Sequence, residues 1–277
     1  MRDMADIMEK LKKSTIFMNL DFEKDAGEVC CSKYGGRPAV PQGFEWPYYE
    51  GSAIGSDSVE KFPLSFIAQL NCSDFADMDN EKILPSKGIL SFFYECDTQK
   101  WGFDPKDRGC ARVYYFEDIS QLSLMDFPDD LKEDFRFAEA AIEYEPSDDY
   151  PECPDYDPEL SDDVYDEYEK IYEEFYNKHG DFRCKLLGYP DTIQGDFFLE
   201  CEQVAERGIY TGSGPTEITE EMKNAAEDWI MIMQMDTVDN DKEVMMFGDC
   251  GRIYYCIRKQ DLKERRFDKI WLILQCC

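Results

Sequence analysis

Histidine is almost absent from this sequence of 277 residues, in which only His179 carries an imidazole. A Cys–His or Ser–His nucleophile would have to use that one side chain. His179 lies at the end of a predicted helix beside Gly180, where a protonated imidazole favours the negative end of the helix dipole. No catalytic constellation emerges, so the sequence favours a non-enzymatic protein and leaves enzymatic activity open.

Long apolar runs are also missing. The run Trp229–Met233 ends at Gln234, far short of the roughly 20 apolar residues that span a bilayer. The N-terminal stretch contains Asp3, Asp6 and Glu9 and lacks the apolar core of a secretory signal. We therefore expect no membrane segment and a cytoplasmic location.

The 12 cysteines form no Cys-x-x-Cys pair. A disulfide scaffold is not expected in a chain of this length without a secretory signal, so the sequence predicts free thiols. The vicinal pairs Cys30-Cys31 and Cys276-Cys277 have no histidine or third cysteine at a spacing that suits a metal. We expect neither a metal nor a cofactor.

Positive charge is scarce. The chain has 30 lysines and arginines against 61 acidic residues, and its formal net charge is −31. Such a surface repels phosphate groups, which argues against nucleic acid and anionic membranes as partners. Two interpretations stay open: the acidity keeps the protein soluble, or it attracts a basic protein partner.

What is present is a series of short apolar segments that are rich in β-branched and aromatic residues and bounded by Pro, Gly and Asp, a pattern typical of strands. Strands are predicted at residues 64–70, 88–94, 112–116, 196–204, 229–235, 251–257 and 269–275, and helices at 3–13, 161–178 and 217–228. These elements predict an α+β fold that is mostly antiparallel β and has an N-terminal helix.

An acidic loop–helix segment, residues 123–180, separates the two groups of strands. From Asp148 to Glu174 it has 13 acidic residues and one basic residue, Lys170. The Pro- and Asp-rich part predicts a loop, and Ser161 is a candidate cap for the helix that follows. We expect the carboxylates of this segment to be exposed and to steer a basic partner. They include Asp148, Asp149, Asp155, Asp157, Asp162 and Asp163.

Landmarks recur in the same order in both halves of the chain. Phe66-Ile-Ala-Gln-Leu70 aligns with Met231-Ile-Met-Gln-Met235, and Gly35-Gly-Arg-Pro38 aligns with Leu187-Gly-Tyr-Pro190. A strand that begins with glycine and a further apolar strand follow each glutamine. The pattern predicts a single domain over residues 1–277, with two pseudo-twofold-related β-rich repeats at approximately 36–118 and 188–276.

The shared glutamines, Gln69 and Gln234, lie inside apolar strands. A buried amide has to be hydrogen-bonded, because an unpartnered one costs about 1–3 kcal/mol. These two amides are candidates either for tying the halves together or for contacting a ligand.

A second candidate site is the segment Trp101-Gly-Phe-Asp-Pro-Lys-Asp-Arg-Gly109, which joins two predicted strands. Asp-Pro and Arg-Gly are turn signals, so a structural loop is one interpretation. The alternative is a ligand rim formed by Trp101, Asp104, Asp107 and Arg108. Asp249, in Gly-Asp-Cys-Gly, is likewise either a turn residue or a site residue.

These motifs together resemble the YwqG-like family, also called domain of unknown function 1963, over nearly the whole chain. The resemblance implies a bacterial protein with a mostly β, internally duplicated fold, and it brings no established activity. The matching stretches are Ser32-Lys-Tyr-Gly-Gly-Arg-Pro38, Gly43-Phe-Glu-Trp-Pro47, Pro63-Leu-Ser-Phe-Ile-Ala-Gln-Leu70, Leu84-Pro-Ser-Lys-Gly88, Trp101-Gly-Phe-Asp-Pro-Lys-Asp107, Leu186-Leu-Gly-Tyr-Pro190, Ile193-Gln-Gly-Asp196, Phe247-Gly-Asp-Cys-Gly251 and Phe267-Asp-Lys-Ile-Trp-Leu-Ile-Leu-Gln275.

Two functional hypotheses follow. The first is a non-enzymatic interaction protein, such as an acidic antagonist of a basic toxin or enzyme. The alternative is a small-molecule-binding protein or an enzyme that uses the cleft between the two repeats, lined by Trp101, Asp104, Arg108 and Asp249. A deep pocket with converging polar groups would favour the alternative, whereas a shallow acidic face would favour the first.

Overall fold

The computed structural model describes residues 4–52, 58–151, 162–179 and 183–277. The strands within these ranges are β1 (Lys13–Asp21), β2 (Lys33–Tyr34), β3 (Ala39–Val40), β4 (Tyr48–Ser52), β5 (Val59–Pro63), β6 (Ser65–Asn71), β7 (Ile89–Tyr94), β8 (Ala111–Phe116), β9 (Ser123–Leu124), β10 (Ala140–Asp149), β11 (Lys185–Leu187), β12 (Trp229–Asp236), β13 (Val238–Asp239), β14 (Val244–Met245), β15 (Arg252–Arg258) and β16 (Trp271–Gln275). The α-helices are α1 (Met4–Leu11), α2 (Asp162–His179), α3 (Phe198–Cys201), α4 (Glu220–Ala226) and α5 (Lys259–Lys263).

One large antiparallel sheet organises the molecule. Ten strands follow the order β16-β15-β12-β11-β1-β10-β2-β6-β7-β8. The long strands β1 and β10 pair at its centre, from Lys13 opposite Asp149 to Asp21 opposite Ala141. On one side of this pair β11 joins β1, and on the other side β2 joins β10. The prediction of a mostly antiparallel β fold is therefore confirmed.

Several strands of the large sheet are buried on both faces, which explains why they appear in the sequence as continuous apolar runs. Every residue of β7 and β16 is buried, and so is all of β6 except its last residue. The sheet curls so that its two ends share a core. The rings of Phe92 in β7 and Tyr255 in β15 lie 5.1 Å apart. The backbone N–H of Leu274 in β16 also donates to the carbonyl of Trp101, at 3.1 Å, which nearly closes the sheet.

Two of the predictions for individual elements were wrong, and each has a physical reason. Residues 123–180 were predicted as a loop–helix segment without strands, but residues 140–149 within it form the central strand β10. Pro146 lies in that strand opposite Ile16, and a proline normally argues against an inner strand. Residues 196–204 were predicted as a strand, yet Phe197, Cys201 and Val204 recur at helical spacing and pack together, forming α3 and a π-helical turn, Glu202–Glu206.

Other elements agree with the sequence. The helix predicted at 161–178 is α2, and the helix predicted at 217–228 contains α4, whose first turn is capped by Thr219 through a hydrogen bond from the N–H of Met222 to Oγ1. None of the helices in the described ranges is long and apolar enough to cross a bilayer. The 11 cysteines that the structure describes are free thiols, and Cys153 lies outside the described residues.

Candidate functional site

Gln69 is completely buried in β6, opposite Lys33 of β2. Its Oε1 accepts a hydrogen bond from the backbone N–H of Ala39 at 2.8 Å. Its Nε2 donates to the carbonyls of Cys31 and Val29, at 2.7 and 2.9 Å. An amide has two N–H donors, and both are used, so this side chain ties three segments of backbone together.

Gln234 occupies the corresponding register in β12, opposite Lys185 of β11. Its Oε1 accepts from the backbone N–H of Asp191 at 2.9 Å. Its Nε2 donates to the carbonyl of Arg183 at 2.9 Å and to Oδ2 of Asp191 at 2.8 Å. This amide is also fully hydrogen-bonded within the protein. Each glutamine therefore holds its own half of the chain together: the partners of Gln69 lie within residues 29–39 and those of Gln234 within residues 183–191, so these bonds do not tie one half to the other. A ligand-binding role for either amide remains a prediction.

A buried charge cluster surrounds Gln234, and no sequence motif indicated it. Lys185 Nζ lies 3.0 Å from Asp149 Oδ2 and 3.1 Å from Asp191 Oδ1. Arg183 Nη1 lies 3.2 Å from the same oxygen of Asp191. The side chains of Lys185 and Asp149 are 0% and 1% exposed. Asp149 was predicted to be an exposed loop residue that steers a partner. It is instead a buried ion-pair partner at the end of β10.

A second pair extends this cluster towards the sheet end. Arg252 Nε lies 2.8 Å from Asp236 Oδ2, which also accepts from the backbone N–H of Arg183 at 3.1 Å. The hydroxyl of Tyr254 donates to the carbonyl of Asp191 at 2.7 Å. The buried charge cluster therefore consists of three carboxylates and three cations, from Asp149, Arg183, Lys185, Asp191, Asp236 and Arg252.

The pKa values of these carboxylates depend on how far the neighbouring cations offset the effect of burial. Burial raises the pKa of Asp149, and the nearby Lys185 only partly offsets it. Burial also raises the pKa of Asp236. For Asp191 burial acts in the same direction, but Lys185 and Arg183 together outweigh it, so its pKa lies below the usual range. The cluster is neutral and internally paired, which suits a structural role.

The candidate loop at 101–109 packs against the second half of the chain. Asp104 caps a 3₁₀ turn, because Oδ1 accepts from the N–H of Lys106 at 2.9 Å. Asp107 is buried, and its Oδ2 accepts from the N–H of Gly102 at 3.0 Å. Burial raises the pKa of Asp107 to about 6. Gly102 has φ +89°, and a Cβ there would lie 2.1 Å from the carbonyl oxygen of Leu272, so only glycine fits.

The remaining candidates on this loop also make contacts within the protein. The guanidinium of Arg108 lies 5.1 Å from the ring centroid of Trp271 and donates to the carbonyl of Ala205. Trp101 is half-buried, and its carbonyl accepts from Leu274. The structure thus brings Trp101, Asp104, Asp107 and Arg108 together on one loop, where they support the junction between the halves. A ligand-binding role for them remains a prediction.

Asp249 lies in an exposed turn that borders the same loop. Its carbonyl accepts from the backbone N–H of Cys277 at 3.2 Å. Gln99, two residues before Trp101, accepts from the N–H of Gly248 at 2.6 Å and donates to the carbonyl of Met246 at 2.9 Å. The turn is therefore held in place by one backbone–backbone hydrogen bond and by the side-chain amide of Gln99. Gln69 and Gln234 lie in the sheet, apart from this loop and turn.

The structure also contains a groove of about 770 Å³ that no sequence pattern indicated. One wall is formed by residues 76–86, between β6 and β7, and the other by Ile230 and residues 259–265. Lys82, Lys259, Lys263 and Arg265 line it, which brings four cations together in a chain of net charge −31. The scarcity of basic residues was a signal, but their convergence depends on the fold.

An acidic face is present on α2. Among the side chains of this helix that the structure describes, the exposed acidic ones are Asp166, Glu167, Glu169, Glu173 and Glu174. Lys170 is the exposed basic side chain among them. The buried Tyr168 fixes the opposite face, and its hydroxyl donates to the carbonyl of Pro151 at 2.6 Å. The side chain of His179 lies outside the described residues.

Comparison with known families agrees with the motif-based identification. Residues 32–276 match the profile of a family described as Domain of unknown function (DUF1963). The chain belongs to the DUF1963 family. A search of curated proteins gives no match. The DUF1963 match includes every strand of the large sheet except β1, which lies at residues 13–21.

Proposed function

We propose that this DUF1963 protein is a non-enzymatic interaction protein that binds a basic protein partner through the acidic face of α2. The observation that carries the proposal is the row of exposed carboxylates at helical spacing on that helix. The opposite face is anchored by Tyr168. The acidic side chains are thus presented outward on an element whose orientation is fixed.

The arrangement is unfavourable in the absence of a partner. Asp166 and Glu169 are three residues apart, and Glu169 and Glu173 are four apart, so both pairs are neighbours on the helix surface. Each such pair of like charges destabilises a helix by about 0.2–0.5 kcal/mol. A basic partner would remove this repulsion. It would also associate faster, because complementary charges steer the encounter.

We also propose that the two sides of the sheet are repeats, at approximately 36–118 and 188–276. Three correspondences support this: the flanking positions of β2 and β11, the pairing of a lysine with each glutamine, and the backbone N–H that each glutamine accepts six residues after that lysine. Superposing the two ranges in an experimental structure should bring Gln69 onto Gln234. Failure to align the flanking strands would contradict duplication.

A cytoplasmic location is part of the proposal. The free thiols of the described residues support it, because reduced cysteines persist in a reducing compartment. Fractionation of the native host, followed by immunoblotting, tests the location directly. Recovery of the protein outside the cytoplasm would contradict it.

The interaction is tested by capturing partners from the native host at low and moderate salt. The variant changes Asp166, Glu167, Glu169, Glu173 and Glu174 to their amides. The matched control makes the same change of charge at exposed positions elsewhere. These control positions are Glu45, Glu60, Glu227, Asp228 and Asp241.

We expect captured partners to be basic, and their association to slow as salt rises, because exposed charges are screened over about 10 Å at 0.1 M ionic strength. The α2 variant should lose the partner, whereas the control should retain it. Capture of only acidic or neutral proteins, without salt sensitivity, would refute the proposal. Equal loss in both variants would show that α2 has no special role.

A second candidate function is small-molecule binding in the groove between residues 76–86 and 259–265. The observation that favours it is that polar and apolar side chains from segments distant in the sequence line one cavity. Its volume lies within the range of ligand pockets, about 300–1,000 Å³. The sequence predicted a different ligand site, the cleft lined by Trp101, Asp104, Arg108 and Asp249. That site remains a prediction, and it does not coincide with the groove.

A further inference from the structure

The two walls of the groove carry opposite charges. The wall at residues 76–86 contributes three carboxylates, from Asp77, Asp79 and Glu81, together with Lys82. The facing wall contributes Lys259, Lys263 and Arg265. Opposed walls of this kind favour a ligand with a positive group at one end and a negative group at the other, because each end then meets its counter-charge.

Asp79, on the acidic wall, has a carboxylate oxygen that lacks a hydrogen-bond donor among the described residues. Its side chain is 4% exposed, and Oδ2 accepts a hydrogen bond from the N–H of Leu84 at 2.7 Å. The other oxygen, Oδ1, is buried and has no hydrogen-bond partner among the described residues. Buried polar atoms are nearly always hydrogen-bonded in folded proteins. A donor from a bound molecule would satisfy this oxygen once a small rotation of the Asp79 side chain exposes it to the groove.

The basic wall is held partly by contacts outside the groove. Arg265 lies with its guanidinium 5.2 Å from the ring centroid of Tyr115 and 3.4 Å from Glu117 Oε2. Lys259 donates to the carbonyl of Glu227 at 2.8 Å. Lys263 is exposed at the end of α5. Of these three, Lys263 is the cation that can most easily reorient towards a ligand.

The backbone at both walls is strained. Lys82 has φ 54° and Arg265 has φ 56°, a left-handed conformation that non-glycine residues adopt at a cost of about 1–3 kcal/mol. Such residues concentrate at ligand clamps and functional sites. Leu84 on one wall and Ile230 and Leu262 on the other also line the groove, and they provide an apolar surface for the middle of a ligand.

We propose that the groove binds a short zwitterionic peptide with free termini. Its ammonium group donates to Oδ1 of Asp79, its carboxylate accepts from Lys263 and Lys259, and an apolar side chain packs on Leu262 and Ile230. This inference rests on the second candidate function, small-molecule binding, and it names the class of ligand. It is independent of the acidic face on α2.

The test uses the full-length protein and the tripeptide Ala-Leu-Ala, compared with its N-acetylated and C-amidated forms. Calorimetry measures affinity, and methyl NMR of Ile230 and Leu262 reports the place of binding. The variants are Lys263→Glu and Asp79→Asn. The control is Lys170→Glu, which makes the same change of charge on exposed α2.

We expect capping of either end to weaken binding to the wild-type protein by about tenfold or more, which corresponds to 1.4 kcal/mol. In Lys263→Glu the effect of C-terminal amidation should become smaller than in the wild-type protein, because only Lys259 is left to bind the carboxylate, and in Asp79→Asn the effect of N-acetylation should likewise become smaller. Lys170→Glu should behave as wild type. If Asp79→Asn does not fold, the exposed Lys263→Glu still decides the result.

Three outcomes would overturn the proposal: no binding of Ala-Leu-Ala at millimolar concentration, indifference to both caps, or methyl shifts only outside the groove. A neutral probe, isobutyl alcohol, distinguishes failure of the peptide proposal from failure of small-molecule binding in the groove. If it shifts Ile230 and Leu262 while the peptide does not bind, the ligand class is wrong and small-molecule binding stands. If neither binds, both fail.

Discussion

Gln69 and Gln234 lie at corresponding places in the sheet, yet their surroundings differ. Around Gln69 the second N–H of the amide donates to the carbonyl of Val29, an exposed residue. Around Gln234 the second N–H donates to the Asp191 carboxylate, which belongs to the buried charge cluster. The same backbone register is therefore found with two different side-chain environments around the glutamine. One uses neutral groups near solvent, and the other uses charges that must compensate one another.

The lysines beside the two glutamines show the same contrast. Lys33 Nζ lies 2.7 Å from Glu139 Oε2, and Glu139 is 41% exposed. Lys185 faces Asp149 and Asp191, which are 1% and 7% exposed. A carboxylate with access to water can lose its partner at small cost, whereas a buried one cannot. The comparison predicts unequal responses to matched substitutions.

The largest difference is expected between Lys185→Met and Lys33→Met. Lys185→Met leaves Asp149 and Asp191 without their shared cation, and removing one partner of a buried ion pair costs about 3–5 kcal/mol. Lys33→Met should change the free energy of unfolding by no more than about 1 kcal/mol, because Glu139 is solvated. Urea unfolding of both variants measures this. Equal losses would show that the two sides do not differ as described.

An intermediate effect is expected from Asp107→Asn. Asp107 is a buried carboxylate held by a backbone N–H, and among the described residues no cation forms an ion pair with it of the kind that holds Asp191. Its pKa is raised to about 6, so the folded state binds a proton more tightly than the unfolded state, in which an aspartate has a pKa of about 3.9. Its contribution to stability is therefore full at low pH and is lost as pH rises through about 6.

Asparagine keeps an acceptor for the N–H of Gly102 and removes the charge. The free energy of unfolding of the wild-type protein, taken relative to that of Asp107→Asn, should fall by up to about 3 kcal/mol as the pH rises from acidic values to about 8. Urea unfolding over this range gives the difference. A difference that does not change with pH would contradict the assignment of a raised pKa to Asp107.

The smallest contrast is expected between Gln234→Leu and Gln69→Leu. Each substitution leaves one backbone N–H without its acceptor. It also leaves the groups that accepted hydrogen bonds from the amide without their donor. At Gln234 these groups are buried, so we expect a loss of about 1–3 kcal/mol. At Gln69 water can reach the carbonyl of the exposed Val29, so the loss should lie at the lower end. Thermal unfolding of both variants suffices, and a larger loss for Gln69→Leu would reverse the comparison.

Features that local patterns encode could be predicted from the sequence. The apolar runs of β6, β7, β12, β15 and β16 predicted strands, and the two glutamines stood out inside apolar segments. These features depend on residues close together in the chain. The family also followed from short motifs in a fixed order, and the match over residues 32–276 confirms it.

The missed features depend on residues that are distant in the sequence. Asp149 and Lys185 are separated by 36 positions, and nothing near either one indicates the other. The acidic composition around Asp149 suggested a solvated loop, although pairing with β1 decides its conformation. The groove is similar, since its walls come from residues 76–86 and 259–265. Charge alone could not show that Lys82 and Lys263 line one cavity.

The position of β1 at the centre of the sheet has a consequence for synthesis on the ribosome. Thr15 and Leu187 are neighbours in the sheet, and their sequence separation is 172. While the intervening chain is translated, the edge of β1 that will receive β11 has no partner, and an open strand edge is prone to pairing with other chains. Contacts of this length also slow folding. Nascent chains of this protein should therefore depend on protection of their first strand until residue 187 has left the ribosome.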